Sequence, residues 1–204
     1  MDGRVAYIVH SITIRSGIIL EKLYFEAIKL CCPHLKVWNE SKFKISRHAM
    51  DMSSNQDNKD LLETECPYGQ AVLIKRRPKT RQIDLITYNE EKKTICSYEI
   101  KRGGGHHDSE KQEKILENLF AVRLLLKSYG IKKGLEVEKA RSYIISHMNQ
   151  ELFSPDYRFF QIDGKEINEH FKADVMSSLE EGYSYFTSEF KKKFNELKRL
   201  ANQF

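Results

Sequence analysis

Gln82-Ile83-Asp84-Leu85-Ile86-Thr87-Tyr88, the polar Asn89-Glu90-Glu91-Lys92, and Thr94-Ile95-Cys96-Ser97-Tyr98-Glu99-Ile100-Lys101 decide how this chain is read. The outer runs are rich in β-branched and aromatic residues and the tetrapeptide between them has turn composition, so the stretch reads as a β-hairpin. Side chains two apart on a strand share a face, so Glu99 and Lys101 project together. Pairing of the strands can bring Asp84, near the start of the first, beside Glu99, near the end of the second. Two converging carboxylates are hard oxygen ligands, suited to Mg²⁺ or Mn²⁺. A divalent ion would offset their repulsion, and the adjacent ammonium could orient an attacking water or stabilise charge. The same residues also suit a surface hairpin whose Glu99 and Lys101 form an exposed ion pair of little energy.

Upstream, residues 16–32 have helical periodicity, with Ser16 as a cap, Ile19, Leu23, Ala27 and Leu30 as the apolar stripe and Pro33 as the stop. On that wheel Glu26 lies on the shoulder of the stripe and Glu21 points to solvent. Residues 47–65 are polar and read as a loop, and residues 71–75 as a short strand preceding the hairpin. Downstream, Arg102-Gly103-Gly104-Gly105-His106-His107 reads as a loop whose glycines let backbone amides approach a phosphate. A helix capped by Asp108 or Ser109 follows, burying Ile115, Leu119, Val122 and Leu126 and ending near Gly130. Residues 142–147 form one more strand. Residues from about 168 to the end read as helix, broken around Gly182, with Phe186, Phe190, Leu197 and Phe204 along one side. The element order gives an α/β sandwich with a mixed sheet.

The 204 residues suit one domain with a proper core. No apolar run approaches the length of a membrane span and no signal-peptide core stands at the start, so a cytoplasmic protein without a membrane partner is expected. Cys31, Cys32, Cys66 and Cys96 lack zinc-ligand spacing and read as small apolar residues in a reducing compartment. The net charge of +5 permits a polyanionic partner without requiring one. Its local distribution is more telling: Lys75-Arg76-Arg77-Pro78-Lys79-Thr80-Arg81 is one basic cluster, and Lys191-Lys192-Lys193 with Lys198-Arg199 a second. Either could contact phosphate or be a solvated face.

Asp84 followed by Glu99-Ile100-Lys101, in a helix–β-meander–helix context over residues 16–130, resembles the PD-(D/E)XK nuclease superfamily. The resemblance implies a restriction-endonuclease-like core, a mixed β-sheet flanked by helices, with a C-terminal helical extension. It would make residues 1–204 a single nuclease domain, with the catalytic core at about 16–150 and the helical part at about 165–204. Carried over by position, the metal falls to Asp84, Glu99 and Ile100, and Lys101 assists the water. Ile83 stands where the family often has proline. Many members add an acid from the first helix, which implies Glu26, or less well Glu21.

The activity so implied is Mg²⁺-dependent hydrolysis of DNA, with Mn²⁺ a possible substitute, by an endonuclease of type II restriction character acting as a homodimer on double-stranded DNA. Alternatives are a repair or phage-defence nuclease without sequence specificity, or a nucleic-acid-binding module without catalysis. The nucleic-acid contacts would come from Arg76, Arg77, Lys79, Arg81, Arg102, Gly104, His106, His107 and Lys111.

Overall fold

The computed structural model describes the backbone of residues 3–54, 64–69, 73–74, 77–102 and 109–201, and the side chains of residues 16–54, 64–69, 79–102 and 110–193. Its centre is a five-stranded mixed sheet flanked by helices. In chain order the elements are α1 (Gly3–Cys31), β1 (Leu35–Lys44), α2 (Arg47–Ser53), β2 (Leu73–Ile74), β3 (Arg77–Pro78), β4 (Thr80–Asn89), β5 (Thr94–Lys101), α3 (Ser109–Lys132), β6 (Lys139–Ser146), β7 (Gln161–Asp163), α4 (Ile167–Phe171) and α5 (Val175–Ala201). The main sheet has the order β1-β4-β5-β6-β7, and β2 and β3 pair apart from it.

The hairpin forms as its composition requires, with β4 and β5 antiparallel in the register Leu85↔Tyr98 to Asn89↔Thr94. The helix after it, α3, crosses over one face, so that β6 returns parallel to β5. A buried hydroxyl pair, Ser97 Oγ to Ser142 Oγ at 2.7 Å, ties these two strands, each hydroxyl satisfying the other away from water. The α3 face of the sheet buries Ile86, Tyr88 and Ile95 against Leu124, Leu125 and Tyr129. The opposite face buries Leu85, Tyr98, Ile145 and Ile162 against α1, α4 and α5. The C-terminal helices therefore share a core with α1 rather than forming an appendage.

Four sequence expectations are corrected. The helix expected at residues 16–32 begins at Gly3, so Ser16 is an internal residue whose hydroxyl accepts a hydrogen bond from Arg102 at 3.1 Å rather than a cap. Its buried stripe is Leu20, Tyr24, Ala27 and Ile28, and Leu30 is exposed. Tyr24 is fully buried and brings more apolar area than any aliphatic residue of that helix, which turns the wheel by about one residue. Residues 47–53 are helical, not loop, because the Ser46 side chain accepts the Ala49 amide at 3.2 Å and Ala49 is buried against the core; residues 55–63 lie outside the described residues. Of the expected strand at 71–75, residues 73 and 74 form β2, outside the main sheet, and 71, 72 and 75 lie outside the described residues. The first meander strand is instead β1, an edge strand whose apolar residues Leu35, Val37, Trp38 and Phe43 are interrupted by the polar Asn39-Glu40-Ser41-Lys42 and by a register slip.

The fourth concerns Gly182, which does not break α5. A Cβ at Gly182 would stand 2.6 Å from Leu23 Cδ2, so the glycine lets α5 press onto α1. No helix among the described residues is long and apolar enough to cross a membrane. Gly182→Val is expected to push the helices apart and lower stability by about 1–3 kcal/mol, the range for overpacking a filled interface. The midpoint of urea denaturation, followed by far-ultraviolet circular dichroism, measures it.

Candidate active site

Between Trp38↔Ile86 and Glu40↔Ile83 the register slips, β4 taking three steps where β1 takes two. This is a β-bulge, and a bulge re-aims side chains. Ile83 and Ile86 both face the α3 side. Leu85, between them, is buried on the α1 side. Asp84 is turned toward α1 as well, onto a cleft of about 560 Å³ that it shares with Glu21, Lys22, Phe25, Glu26 and Gln82.

The β4–β5 pairing ends at Leu85↔Tyr98, and the next link is made by a side chain. Asp84 Oδ2 accepts the Ile100 amide at 2.9 Å, and Oδ1 stands 3.4 Å from Gln82 Nε2. This fixes Asp84 against the Glu99-Ile100-Lys101 end of β5. There Lys101 Nζ lies 2.6 Å from Glu99 Oε1, both side chains about one-third exposed. Arg81 extends from the start of β4 to donate to the Asn118 side chain of α3, close enough for Glu99 to stabilise its charge.

The electrostatics tie Glu21 to this group. Burial, then the Asp84 charge, push the Glu21 carboxyl up to about 7, with Lys101 opposing and Glu99 adding. The Asp84 carboxyl is raised by burial, against the pull of the Ile100 amide, and raised further by Glu99. Burial alone would depress the Lys101 ammonium, but Glu99, Asp84 and Glu21 outweigh it and hold it above its ordinary value. Three acids on α1, β4 and β5 thus share the field of one lysine.

Among the described residues, no three acids, histidines or cysteines stand together as a ready ligand group for a metal. The donors are hard oxygens of the type a divalent cation takes, but Asp84 and Glu21 line the α1-side cleft while Glu99 lines a pocket with Arg81 and Asn118 on the α3 side, so the three carboxyls are coupled through their charges rather than gathered as one ligand set. A cation is what would relieve that repulsion.

The expected site residues divide as follows. The structure brings Asp84, Glu99 and Lys101 together. Ile100 has a buried apolar side chain and its amide is used by Asp84, so only its carbonyl could serve a metal. Glu26 is exposed on the rim of the cleft, while Glu21, expected in solvent, is the helix acid coupled to Asp84. The rotation of α1 about Tyr24 explains the exchange. Arg81 faces α3, and Lys79 is half-buried with Nζ 3.2 Å from Met50 Sδ, so neither is a freely solvated cation. Arg102 and Lys111 are exposed. Arg77 is described only as backbone of β3, and Arg76, Gly104, His106 and His107 lie outside the described residues.

A carboxyl whose folded-state pKa is raised keeps a proton that the unfolded chain releases. The stabilisation is complete below the unfolded value of 4.5 and is lost as pH rises through about 7. Glu21→Gln is therefore expected to be more stable than the native chain at pH 8 by about 1 kcal/mol, a linkage value discounted because the carboxyl is half exposed. The two are expected to converge near pH 4. Urea denaturation across that range tests it, and parallel curves would refute the coupling. No protein-family model, curated protein or solved structure matches the chain, so the site stands on its own geometry.

Proposed function

We propose that this protein is a metal-dependent nuclease hydrolysing phosphodiester bonds of double-stranded DNA as an endonuclease. The observation that carries the reading is the hydrogen bond that fixes Asp84 to the amide between the paired Glu99 and Lys101, with Glu21 coupled to Asp84 from α1, where the β4–β5 pairing gives out. The sheet flanked by helices is compatible with the restriction-endonuclease-like core that the sequence resembles.

In this reading Asp84 and Glu99 hold Mg²⁺ or Mn²⁺, with the Ile100 carbonyl and Glu21 as further oxygen donors. Bound there, the ion supplies positive charge to the phosphate and makes water more acidic. Lys101 orients the water that attacks phosphorus and offsets negative charge building on the phosphoryl oxygens as the bond to the leaving sugar oxygen breaks. Asp84 is kept in place by the Ile100 amide, so its orientation requires no reorganisation during reaction. A homodimer suits duplex cleavage, and α5 exposes Tyr185, Phe186 and Phe190 as a candidate face for it.

The test is incubation of the full chain with long duplex DNA and Mg²⁺, beside a chelator control. Cleavage is expected, lost with chelator, and reduced roughly 100-fold or more in Lys101→Ala and in Glu99→Ala. Discrete fragments would make it site-specific and a smear would make it a nuclease without sequence preference. Glu21→Gln is expected to cut at least about tenfold more slowly, while Glu26→Gln cuts like the native chain. Equal rates in those two variants would remove Glu21 from the machinery. Absence of cleavage across several metals and substrates would overturn the activity.

A further inference from the structure

At the far end of α1 from Glu21, about 15 Å along the axis, a second cavity of about 640 Å³ opens beside His34 and the first half of β5. Its volume lies within the range of small-molecule sites. Four cations reach its wall from three elements: Lys92 from the β4–β5 turn, Lys139 and Arg141 from β6, and Lys172 from the end of α4. No acidic residue lines it among the described residues. In that same β4–β5 turn the chain pairs Lys93 with Glu136 and Glu138, so its cations are not kept from acids as a rule.

Two details separate this cavity from an ordinary solvated face. β6 pairs with β7 only from Ile144 onward, so Lys139 and Arg141 stand on a strand edge, where cations commonly discourage sheet-to-sheet association. Lys92 and Lys172 lie on no such edge, and that explanation does not reach them. Lys172 also holds the left-handed conformation, φ +53°, where a side chain costs about 1 kcal/mol and glycine is the usual occupant. An ammonium is kept there at that cost. The Arg141 charge is felt inside the cavity, where after burial it is the next influence holding His170 down at about 4.

The remaining wall is aromatic. Tyr143 stacks on Tyr98 with ring centres 5.7 Å apart, and His170 meets Tyr143 edge-on at 5.1 Å while sharing a 3.1 Å hydrogen bond with the Tyr98 hydroxyl. Ring surface beside clustered cations matches a ligand with a planar base at one end and phosphates at the other. We propose that this cavity binds a nucleoside polyphosphate, its phosphates held by Arg141, Lys172, Lys139 and Lys92 and its base against Tyr143. The proposal is independent of the nuclease reading, since none of these residues belongs to the acid cluster.

Isothermal titration calorimetry of the full chain, with chelator present, tests it using ATP, adenosine and inorganic tripolyphosphate as separate probes. ATP is expected to bind at least about tenfold more tightly than either fragment. Arg141→Ala and Lys172→Ala should each weaken ATP about tenfold or more, and Tyr143→Ala should weaken ATP but not tripolyphosphate. Lys165→Ala, an exposed cation elsewhere, should change nothing. Circular dichroism verifies that each variant is folded, and Arg141→Gln replaces Arg141→Ala if that variant is not. No heat with ATP, unchanged binding in the Arg141 and Lys172 variants, or equal affinity for ATP and tripolyphosphate would each overturn the proposal. Tighter binding of a short oligonucleotide, lost in the same variants, would overturn it in favour of a nucleic-acid track.

Discussion

Ile100 gives its amide proton to the Asp84 carboxylate at a point where the ladder between β4 and β5 has already ended. A hydrogen bond to a charged acceptor is worth about 1.5–3 kcal/mol, more than an ordinary backbone pair. It lets the strands separate at that end without leaving the buried amide unsatisfied. The carboxylate is thereby held against Glu99 and Lys101 in the space that strand pairing would otherwise close. The bulge in β4 makes the contact possible by turning Asp84 out of the plain alternation of the strand.

Around that contact the charges are frustrated. Asp84, Glu99 and Glu21 lie in the field of Lys101, with the Arg81 guanidinium near Glu99, and burial weakens the solvent screening that would otherwise dull the repulsion among the acids. Such groups raise one another's proton affinity or wait for a cation. A structural ion pair needs only Glu99 and Lys101. Asp84 and Glu21 are more than such a pair requires.

The local features were legible in the residues. The hairpin, the shared face of Glu99 and Lys101, and the buried side of α3 at Ile115, Leu119, Val122 and Leu126 all follow from periodicities of two or three to four residues. What escaped depends on distant partners. The face that α1 presents was set by Tyr24, whose hydroxyl meets His147 Nδ1 at 3.0 Å across the fold, and that rotation exchanged Glu26 for Glu21. β1 escaped because the polar Asn39-Glu40-Ser41-Lys42 and the register slip there break its alternation. Arg81 looked like part of a solvated basic run until the start of β4 laid it on Asn118. Gly182 looked like a helix breaker because its use, close approach to Leu23, lies in another helix.

The seating of α1 against α5 has a consequence for the order in which the chain can assemble. The hairpin joins neighbours in sequence and closes a short loop, whereas α1 and α5 lie on either side of every strand of the sheet. A chain emerging from the ribosome can thus bring Asp84, Glu99 and Lys101 together long before the surface that Leu23 packs on has been made. Glu21 is carried by that same helix turn, so it joins the cluster only when α1 docks on the sheet. Until α1 has docked, the hairpin holds Asp84, Glu99 and Lys101 without the helix that carries Glu21.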